Sequence, residues 1–261
     1  MSSSLPIGVF DSGVGGLSIL EKIHQLLPDE PLIYVADSAN APYGPKGDDY
    51  IISRSCEIVD FFIDQPVKAV VVACNTATAS AVSTLRENYS VPIIGMEPAI
   101  KPAAELSRAG IIGVLATEGT LASDKFVDLK SQFDGQVEII NIPCPGLVEH
   151  IEQVNLDEAA ITALLQEYIL PLKAKGVDTL VLGCTHYTLI IEQIREVAGE
   201  AIAIVDTDDA VARRLASVLV ENALLSDTKG GIRFYSSGNP REQQQLISRC
   251  WGKAISVDPF S

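Results

Sequence analysis

Two cysteines occupy matching positions in the sequence, and they suggest a specific chemistry. Cys74 directly follows the apolar run 69–73, Cys184 directly follows the run 179–183, and a small polar residue comes after each thiol. Two acid/base groups on opposite faces of one carbon can remove a proton and return one, which inverts a stereocentre. Because the reference pKa of a thiol is about 8.5, one thiolate and one thiol can coexist near neutral pH. The pair indicates racemisation without a cofactor.

Other uses of paired thiols fit the sequence less well. A disulfide oxidoreductase requires a C-x-x-C motif, which the sequence lacks. A zinc site requires four Cys or His ligands at short spacings, and the chain has only 3 histidines. A Cys–His hydrolase would leave the second thiol unexplained. We predict that Cys56 and Cys250 are packing residues and leave the role of Cys144 open.

The elements that must position these thiols alternate between short apolar runs and longer amphipathic segments. Runs that are apolar throughout predict strands buried on both faces, as in a parallel sheet covered by helices. The predicted strands are 7–10, 32–36, 69–73, 93–95, 111–115, 137–142, 179–183 and 201–205. Segments 17–27, 157–174 and 209–225 predict helices, the last two capped by Asp157 and Asp209. The alternation predicts an α/β fold.

The eight runs divide into two similar sets of four, which indicates an internal duplication. The segment that starts at Ile7 recurs at Ile112, and the motif at Cys74 recurs at Cys184. The offset between the copies grows slowly along the chain, as small loop insertions would produce; a general likeness of α/β halves is the alternative. We predict two similar doubly wound domains with mostly parallel sheets, related by a pseudo-two-fold axis, with the active site between them. Their predicted boundaries are 1–98 with 209–261, and 99–208.

Composition and charge limit the partners and the compartment. The chain has 19 Lys+Arg against 34 Asp+Glu, a formal net charge of −15, which argues against nucleic acid and an anionic membrane surface as partners. No run approaches the ~18 apolar residues of a membrane span, and residues 1–6 do not resemble a signal peptide. The 5 cysteines are scattered and odd in number, which favours free thiols and a cytoplasmic protein.

Polar or glycine-rich turns follow four of the apolar runs, at 11–16, 37–44, 74–76 and 184–187. Ligands of open parallel sheets bind at the carboxyl ends of the strands, so these turns are expected to line one cleft. On residue type alone, Asp11 could equally cap a helix, His186 could lie in the core, and Tyr43 could serve only a turn.

Taken together, these motifs resemble those of the glutamate racemases, within the aspartate/glutamate racemase superfamily. The matching segments are Asp11-Ser-Gly-x-Gly-Gly, Pro42-Tyr-Gly, Cys74-Asn-Thr, Glu97-Pro and Gly183-Cys-Thr-His-Tyr, in a resemblance that runs from Ile7 to about Asp206. It implies an enzyme that interconverts L- and D-glutamate for bacterial peptidoglycan, with no cofactor or metal, and a homodimer. His186 favours glutamate, because the similar aspartate racemases usually carry an acidic residue there.

The resemblance also implies roles for individual residues. Cys184 would take the proton from L-glutamate and Cys74 from D-glutamate, while Asp11 assists Cys74 and His186 assists Cys184. The residues implied to bind substrate are Asp11, Ser12, Tyr43, Gly44, Asn75, Thr76, Thr185 and His186. Glu152 matches an acidic residue of the family site, with Glu149 close by as an alternative.

Two positions depart from the family pattern beside the chemistry. Thr188 stands where the family commonly has Pro, and Asp206-Thr-Asp stands where it has Asp-Ser-Ala, so that Thr207 replaces Ser. Both departures lie outside the reacting residues. We expect them to alter loop packing only.

Three alternative functions use other residues. A dinucleotide-binding oxidoreductase would use Gly13, Gly15 and Gly16 with Asp37 on the ribose, although the third glycine of G-x-G-x-x-G is Ser18. An aspartyl phosphatase would use the Asp206-Thr-Asp segment with Mg²⁺. A two-lobed amino-acid-binding module would use the same cleft without turnover.

Overall fold

The computed structural model describes residues 4–260; residues 1–3 and 261, on which parts of the signal-peptide and domain predictions rest, lie outside the described residues. Strands and helices alternate along the described chain. The strands are β1 (Ile7–Asp11), β2 (Leu32–Ala36), β3 (Ala69–Val72), β4 (Ile93–Ile94), β5 (Ile111–Ala116), β6 (Glu138–Pro143), β7 (Thr179–Leu182), β8 (Ala203–Val205), β9 (Ile232–Ser236) and β10 (Val257–Pro259). The α-helices are α1 (Leu17–Leu26), α2 (Asp48–Asp64), α3 (Asn75–Asn88), α4 (Ile100–Leu106), α5 (Glu118–Ala122), α6 (Asp124–Ser131), α7 (Leu147–Ile151), α8 (Glu158–Ala174), α9 (Ile191–Ala198), α10 (Asp208–Glu221) and α11 (Pro240–Trp251).

The first sheet has six parallel strands in the order β10-β9-β2-β1-β3-β4. At its centre, Val9 of β1 pairs with Tyr34 on one side and Val71 on the other. Every residue of β1, β2 and β3 is buried, because α1, α10 and α11 cover one face and α2 and α3 cover the other. Burying a large apolar side chain in this way contributes about 1.5–3 kcal/mol.

The second sheet has four parallel strands in the order β6-β5-β7-β8. This order matches β2-β1-β3-β4 of the first sheet, as expected for two copies of one unit. Helices α7, α8 and α9 pack on one face, and α4 and α6 pack on the other. The predicted α/β fold with two parallel sheets is confirmed.

The C-terminal segment extends the first sheet with two strands that the apolar runs do not indicate. β9 reads Ile-Arg-Phe-Tyr-Ser and β10 reads Val-Asp-Pro, so neither is a continuous apolar run. Their outer position explains this, because a strand near the edge of a sheet buries fewer of its side chains. Phe234 and Leu246 from this segment join the core that contains β1. The exact domain boundaries stay predictions.

Of the two predicted helix caps, one is confirmed and one is wrong. The carboxylate of Asp157 accepts the Ala160 N–H at 3.0 Å and caps α8. The Asp209 cap is wrong, because α10 begins one residue earlier, at Asp208. The Asp206 carboxylate takes the Asp208 N–H at 3.0 Å, which starts the helix there and leaves Asp209 in its first turn.

The carboxyl ends of both sheets line one cavity, so the topology brings the predicted polar turns together. The residues that follow β1, β3, β5 and β7 all contribute to its wall. Across residues 4–260, none of the helices combines the length and the apolar character needed to cross a membrane.

Candidate active site

The cavity between the sheets contains both Cys74 and Cys184. They are buried, with exposed fractions of 5% and 7%, and both are free thiols. The cavity is small, with a volume of only about 10 Å³ open to the centre of a water-sized molecule. Its wall consists of Ser12, Pro42, Tyr43, Gly44, Cys74, Asn75, Thr76, Thr117, Val148, Cys184, Thr185 and His186. Of the predicted site residues, Asp11 and Glu152 lie outside this wall.

Cys74 lies at the start of α3, where its side chain caps the helix. The Ala77 N–H donates to its Sγ at 3.4 Å, and the thiol donates to the Ser12 hydroxyl at 3.7 Å. Burial raises the pKa of the Cys74 thiol, and the negative charge of Asp11 raises it further. Cys74 is therefore a thiol that holds its proton firmly in the closed site.

Cys184 has a different environment, although it ends the matching strand. It precedes the 3₁₀ segment Thr185–Ile190, and no backbone N–H donates to its side chain as a helix cap. Its Sγ lies 3.9 Å from Nδ1 of His186. The neighbour of this thiol is therefore an acid/base group.

The imidazole of His186 is held by Glu152. His186 Nε2 lies 2.6 Å from Glu152 Oε1, and His186 Nδ1 lies 3.8 Å from Asp11 Oδ2. Burial lowers the pKa of His186, but the hydrogen bonds with Cys184 and Glu152 and the charges of Asp11 and Glu152 outweigh it, so this pKa lies well above its usual value. The neighbouring groups therefore favour the imidazolium form of the ring.

Two further hydrogen bonds fix the carboxylate of Glu152. The Val14 N–H donates to Oε1 at 2.7 Å, and the Ser38 hydroxyl donates to Oε2 at 3.2 Å. Glu152, rather than the exposed Glu149, is thus the acid at this site. The carboxylate joins turns that follow β1 and β2 to the imidazole that follows β7.

Asp11 lies behind the cavity wall, fully buried at the end of β1. Its Oδ2 accepts the Gly16 N–H at 2.8 Å and the Thr185 hydroxyl at 3.4 Å. Burial raises the pKa of Asp11, against the smaller effects of the His186 charge and the Gly16 N–H, which lower it. One carboxyl group therefore stabilises the turn before α1 and also reaches the Cys184 side of the site.

The glycines of the first turn permit its close approach to the second half. A Cβ atom at Gly13 would lie 1.9 Å from Oε1 of Glu152, and one at Gly15 would lie 2.4 Å from Nδ1 of His186. No side chain can occupy that space without displacing these groups. The glycine-rich turn, considered above as a dinucleotide-binding loop, instead leaves room for the Glu152 and His186 side chains.

Tyr43 lines the cavity, but its hydroxyl is already engaged. It donates to Asp37 Oδ2 at 2.6 Å, and Arg54 donates to both oxygens of the same carboxylate at 2.8 and 2.9 Å. The Tyr43 hydroxyl is therefore occupied by Asp37, and the prediction that Tyr43 binds substrate rests on its backbone. Tyr43 and Gly44 can offer backbone groups from this loop.

Uncharged polar groups complete the wall. Thr76 Oγ1 lies 2.9 Å from Thr117 Oγ1 and 3.1 Å from Thr120 Oγ1. Both atoms of the Asn75 side-chain amide are buried without a partner, so they are free to bind a ligand. Thr117 is a site residue that the motifs do not indicate. The internal repeat does indicate it, since Thr117 corresponds to Ser12.

The other three cysteines are not among the residues of the cavity wall. Cys144 is buried in the core beside α7 and α8, where its thiol donates to the Ile142 carbonyl at 3.4 Å. Cys56 and Cys250 are half-buried and pack against the two cores of the first sheet. All three pack in or against hydrophobic cores.

A larger cleft lies on the other side of Asn75. It has a volume of about 400 Å³, and Arg86, Lys125 and Arg214 are among its lining residues. Its described wall contains no cysteine and no histidine. We therefore assign the chemistry to the smaller cavity.

The carboxylates on which two of the alternative functions depend have other partners in the structure. Asp37 cannot bind a ribose, because Arg54 and Tyr43 occupy its carboxylate. The Asp206 carboxylate accepts the Asp208 N–H as part of a turn. Within residues 4–260, no group of three or more His, Cys, Asp or Glu side chains is arranged to hold a metal ion.

Comparison with known proteins gives a consistent result. Residues 7–215 match the family described as Asp/Glu/Hydantoin racemase. The glutamate racemase of Stutzerimonas stutzeri (strain A1501) is 49% identical over 256 residues, which cover 98% of this chain and 97% of that relative. Proteins that share only a fold need not have this degree of sequence identity over nearly their whole length.

Solved structures extend the likeness to three dimensions. The crystal structure of glutamate racemase isoform RacE1 from Bacillus anthracis has a TM-score of 0.89 at 35% identity, covering 98% of this chain and 97% of that chain. Escherichia coli glutamate racemase, solved in complex with L-glutamate and the activator UDP-MurNAc-ala, has a TM-score of 0.86 at 33% identity, covering 98% of each chain. The chain therefore belongs to the Asp/Glu/Hydantoin racemase family and is an amino-acid racemase.

Proposed function

We propose that this racemase interconverts L- and D-glutamate with Cys74 and Cys184 as its two acid/base groups. The observation that carries the proposal is the presence of two free thiols, from the ends of two different sheets, on the wall of one small cavity. The close likeness to glutamate racemases over nearly the whole chain supports glutamate as the substrate.

The proton balance of the reaction requires one thiolate and one thiol. From L-glutamate, the thiolate of Cys184 takes the α-proton, and the electron pair stays on the α-carbon. The thiol of Cys74 then donates its proton to the opposite face, which leaves a Cys74 thiolate and D-glutamate. The reverse reaction restores the first protonation state, as does proton exchange with solvent. No electron leaves the substrate, so no redox cofactor is required.

The neighbours of each thiol suit these roles. An imidazolium stabilises a nearby thiolate, and His186 lies 3.9 Å from the sulfur of Cys184. On the other side, Ser12 lies 3.7 Å from the sulfur of Cys74, and Asp11 stands behind it. In our proposal Glu152 keeps His186 charged and oriented, and Asp11 assists Cys74.

Substrate binding is assigned to local groups rather than to long-range attraction. Glutamate is an anion and the protein carries a formal net charge of −15, so the overall field does not attract it. The unpartnered amide of Asn75, the hydroxyls of Ser12, Thr76 and Thr185, and the backbone of Gly44 would hold its amino and carboxylate groups. Hydrogen bonds from neutral groups are strong in a site that excludes water.

The cavity must open for substrate to enter. Glutamate has ten non-hydrogen atoms, whereas the closed cavity admits the volume of about one water molecule. Because its wall comes from both sheets, we propose that the two halves separate for binding and close for reaction. Closure would then exclude water from the carbanion.

Isotope exchange tests the reaction directly. Purified protein is incubated with L-glutamate in D₂O without added cofactor, with L-aspartate as the matched control. We expect loss of the α-proton signal and an approach to equal amounts of the two glutamate enantiomers, with much slower change in aspartate. Glutamate binding without exchange would instead identify an amino-acid-binding module. An absorbance band of a Schiff base in the pure protein would contradict the two-thiol mechanism.

We further propose that the D-glutamate serves bacterial peptidoglycan. Growth of a D-glutamate auxotroph that carries the gene for this chain tests this role, with a Cys74→Ser variant as control. A cytoplasmic location and a homodimer stay predictions, to be checked by fractionation and by light scattering.

A further inference from the structure

Arg249, near the end of α11, holds the turn that carries Glu152. Its Nη1 donates to the carbonyls of Gln153 and Val154, both at 2.8 Å, and its Nη2 donates to the carbonyl of Ile151 at 3.1 Å. These carbonyls lie on both sides of Glu152. One guanidinium group therefore fixes the backbone immediately before and immediately after the acid of the site.

This turn needs an external donor because α7 is short. The last carbonyls of any helix have no partner within it, and α7 has only five residues. A cationic side chain near a helix C-terminus satisfies such carbonyls and interacts favourably with the helix dipole. Here the cation comes from a distant part of the chain, from a helix anchored on the first sheet by the fully buried Leu246 and Ile247.

The position of this turn sets the position of the imidazole. Glu152 bonds to His186 at 2.6 Å and accepts the Val14 N–H at 2.7 Å, with no space beside Gly13 for it to shift. A displaced turn would lengthen the contact with His186 or rotate the ring away from Cys184. Small displacements of a reacting group lower rates strongly.

We propose that Arg249 is a positioning residue for the Cys184 side of the site, acting through Glu152 on His186. The inference rests on the proposed two-thiol reaction and assigns to it a residue from the C-terminal segment. No such contact reaches Cys74, whose neighbours are Ser12 and Asp11. Loss of Arg249 should therefore slow proton transfer at Cys184 more than at Cys74.

Arg249→Gln tests the proposal, with Arg241→Gln as the matched control. Both arginines are exposed residues of α11, and both substitutions remove one positive charge. We expect Arg249→Gln to lower kcat/KM about tenfold and Arg241→Gln to leave it unchanged. Because the two enantiomers are equal in free energy, kcat/KM must fall by the same factor in both directions, so rates alone cannot locate the defect.

Primary isotope effects identify which of the two proton transfers is slowed in Arg249→Gln. α-Deuterated L-glutamate reports abstraction at Cys184, and α-deuterated D-glutamate reports abstraction at Cys74. In Arg249→Gln we expect the isotope effect on kcat/KM to rise for the L substrate and to fall for the D substrate. Equal changes for both substrates, or none, would contradict a role in positioning His186.

A double-mutant cycle with Glu152→Gln gives an independent test. If Arg249 acts through Glu152, the loss from Arg249→Gln should disappear when Glu152 is already Gln. Undiminished loss in that background would overturn the proposal.

The cysteine variants distinguish failure of the proposed reaction from failure of the role of Arg249. If Cys74→Ser and Cys184→Ser retain turnover, the two-thiol reaction is wrong. If both cysteine variants lose turnover but Arg249→Gln has the same kcat/KM as Arg241→Gln, the reaction stands and the role of Arg249 is wrong.

Discussion

The two halves of the site offer one thiol each, yet they surround it with different chemistry. Cys74 caps an α-helix of fourteen residues and has the Ser12 hydroxyl and the Asp11 carboxyl beside it. Cys184 precedes a 3₁₀ segment and has an imidazole paired with a carboxylate. The strands that carry the thiols match in order and direction. A symmetric scaffold therefore holds an asymmetric pair of acid/base groups.

The difference shows how a duplicated unit can serve a reaction that needs both faces of one carbon. Ala116 stands in the second copy where Asp11 stands in the first. Asp11 itself reaches Thr185 and His186 of the other half. The two sheets share one strand order, whereas the groups around the thiols differ.

The largest expected effect comes from removing either thiol. Cys74→Ser and Cys184→Ser should each lower racemisation by at least about 1,000-fold, because a hydroxyl is a far weaker acid than a thiol and cannot take its place in proton transfer. Both variants should still bind glutamate, measured by calorimetry. Wild-type turnover in either would rule out the two-thiol mechanism.

The same variants should separate the two half-reactions. In D₂O, Cys184→Ser should exchange the α-proton of D-glutamate alone, and Cys74→Ser that of L-glutamate alone, as followed by NMR on each pure enantiomer. Exchange of both enantiomers by one variant would mean that the thiols do not serve separate faces. Cys56→Ser, outside the cavity, is the control and should racemise normally.

The next effect concerns the groups beside each thiol. His186→Asn and Asp11→Asn should each lower kcat/KM by about 100-fold, the range of a lost acid/base or charge contribution. The isotope effect should rise for α-deuterated L-glutamate in His186→Asn and for α-deuterated D-glutamate in Asp11→Asn. Identical isotope effects in the two variants would contradict the assignment of His186 to Cys184 and of Asp11 to Cys74.

A smaller loss of kcat/KM is expected when a methyl group is added at Gly13, where the two halves of the site meet. Gly13→Ala places a Cβ atom against Glu152 and should lower kcat/KM about 30-fold by displacing the carboxylate from His186. Gly47→Ala is the control, since a Cβ atom there has no neighbour within 4 Å. A Gly13→Ala enzyme with unchanged kinetics would show that the Glu152 contact is not needed.

The smallest effect is a pH-dependent contribution of His186 to stability. Its pKa in the folded protein lies well above the value of about 6.5 expected in the unfolded chain. Its contribution is therefore fully present below about pH 6.5 and is lost as the pH rises through the folded value. His186→Asn should lower Tm more at pH 6 than at pH 9, by a few degrees. A larger loss at pH 9 would contradict the sign.

Much of the fold is predictable from the chain because buried parallel strands have a simple pattern. β2 coincides with the predicted run 32–36, and the other seven predicted strands lie within about two residues of those found. β9 and β10 were not predictable in this way, since Arg233 and Asp258 interrupt the apolar pattern on outer strands. The start of α10 was also not predictable, because Asp206, Asp208 and Asp209 are all suited to accept a backbone N–H, and in the structure Asp206 accepts that of Asp208.

The site, like the fold, has features that the sequence predicts and features that it does not. The thiols and the polar residues after the strands follow from their sequence positions, because strand ends of parallel sheets converge. The pairing of Glu152 with His186, the engagement of the Tyr43 hydroxyl by Asp37 and the contact of Arg249 with the Glu152 turn join residues far apart in the chain. No local pattern encodes such contacts.

The sequence by itself thus determined the fold class, the repeat and the identity of the two thiols, since each depends on residue type and local periodicity. Only the tertiary structure decided what surrounds each thiol, because charge, burial and hydrogen bonding arise from groups that meet across the cleft. That is why two similar motifs, at Cys74 and Cys184, have different acid/base environments.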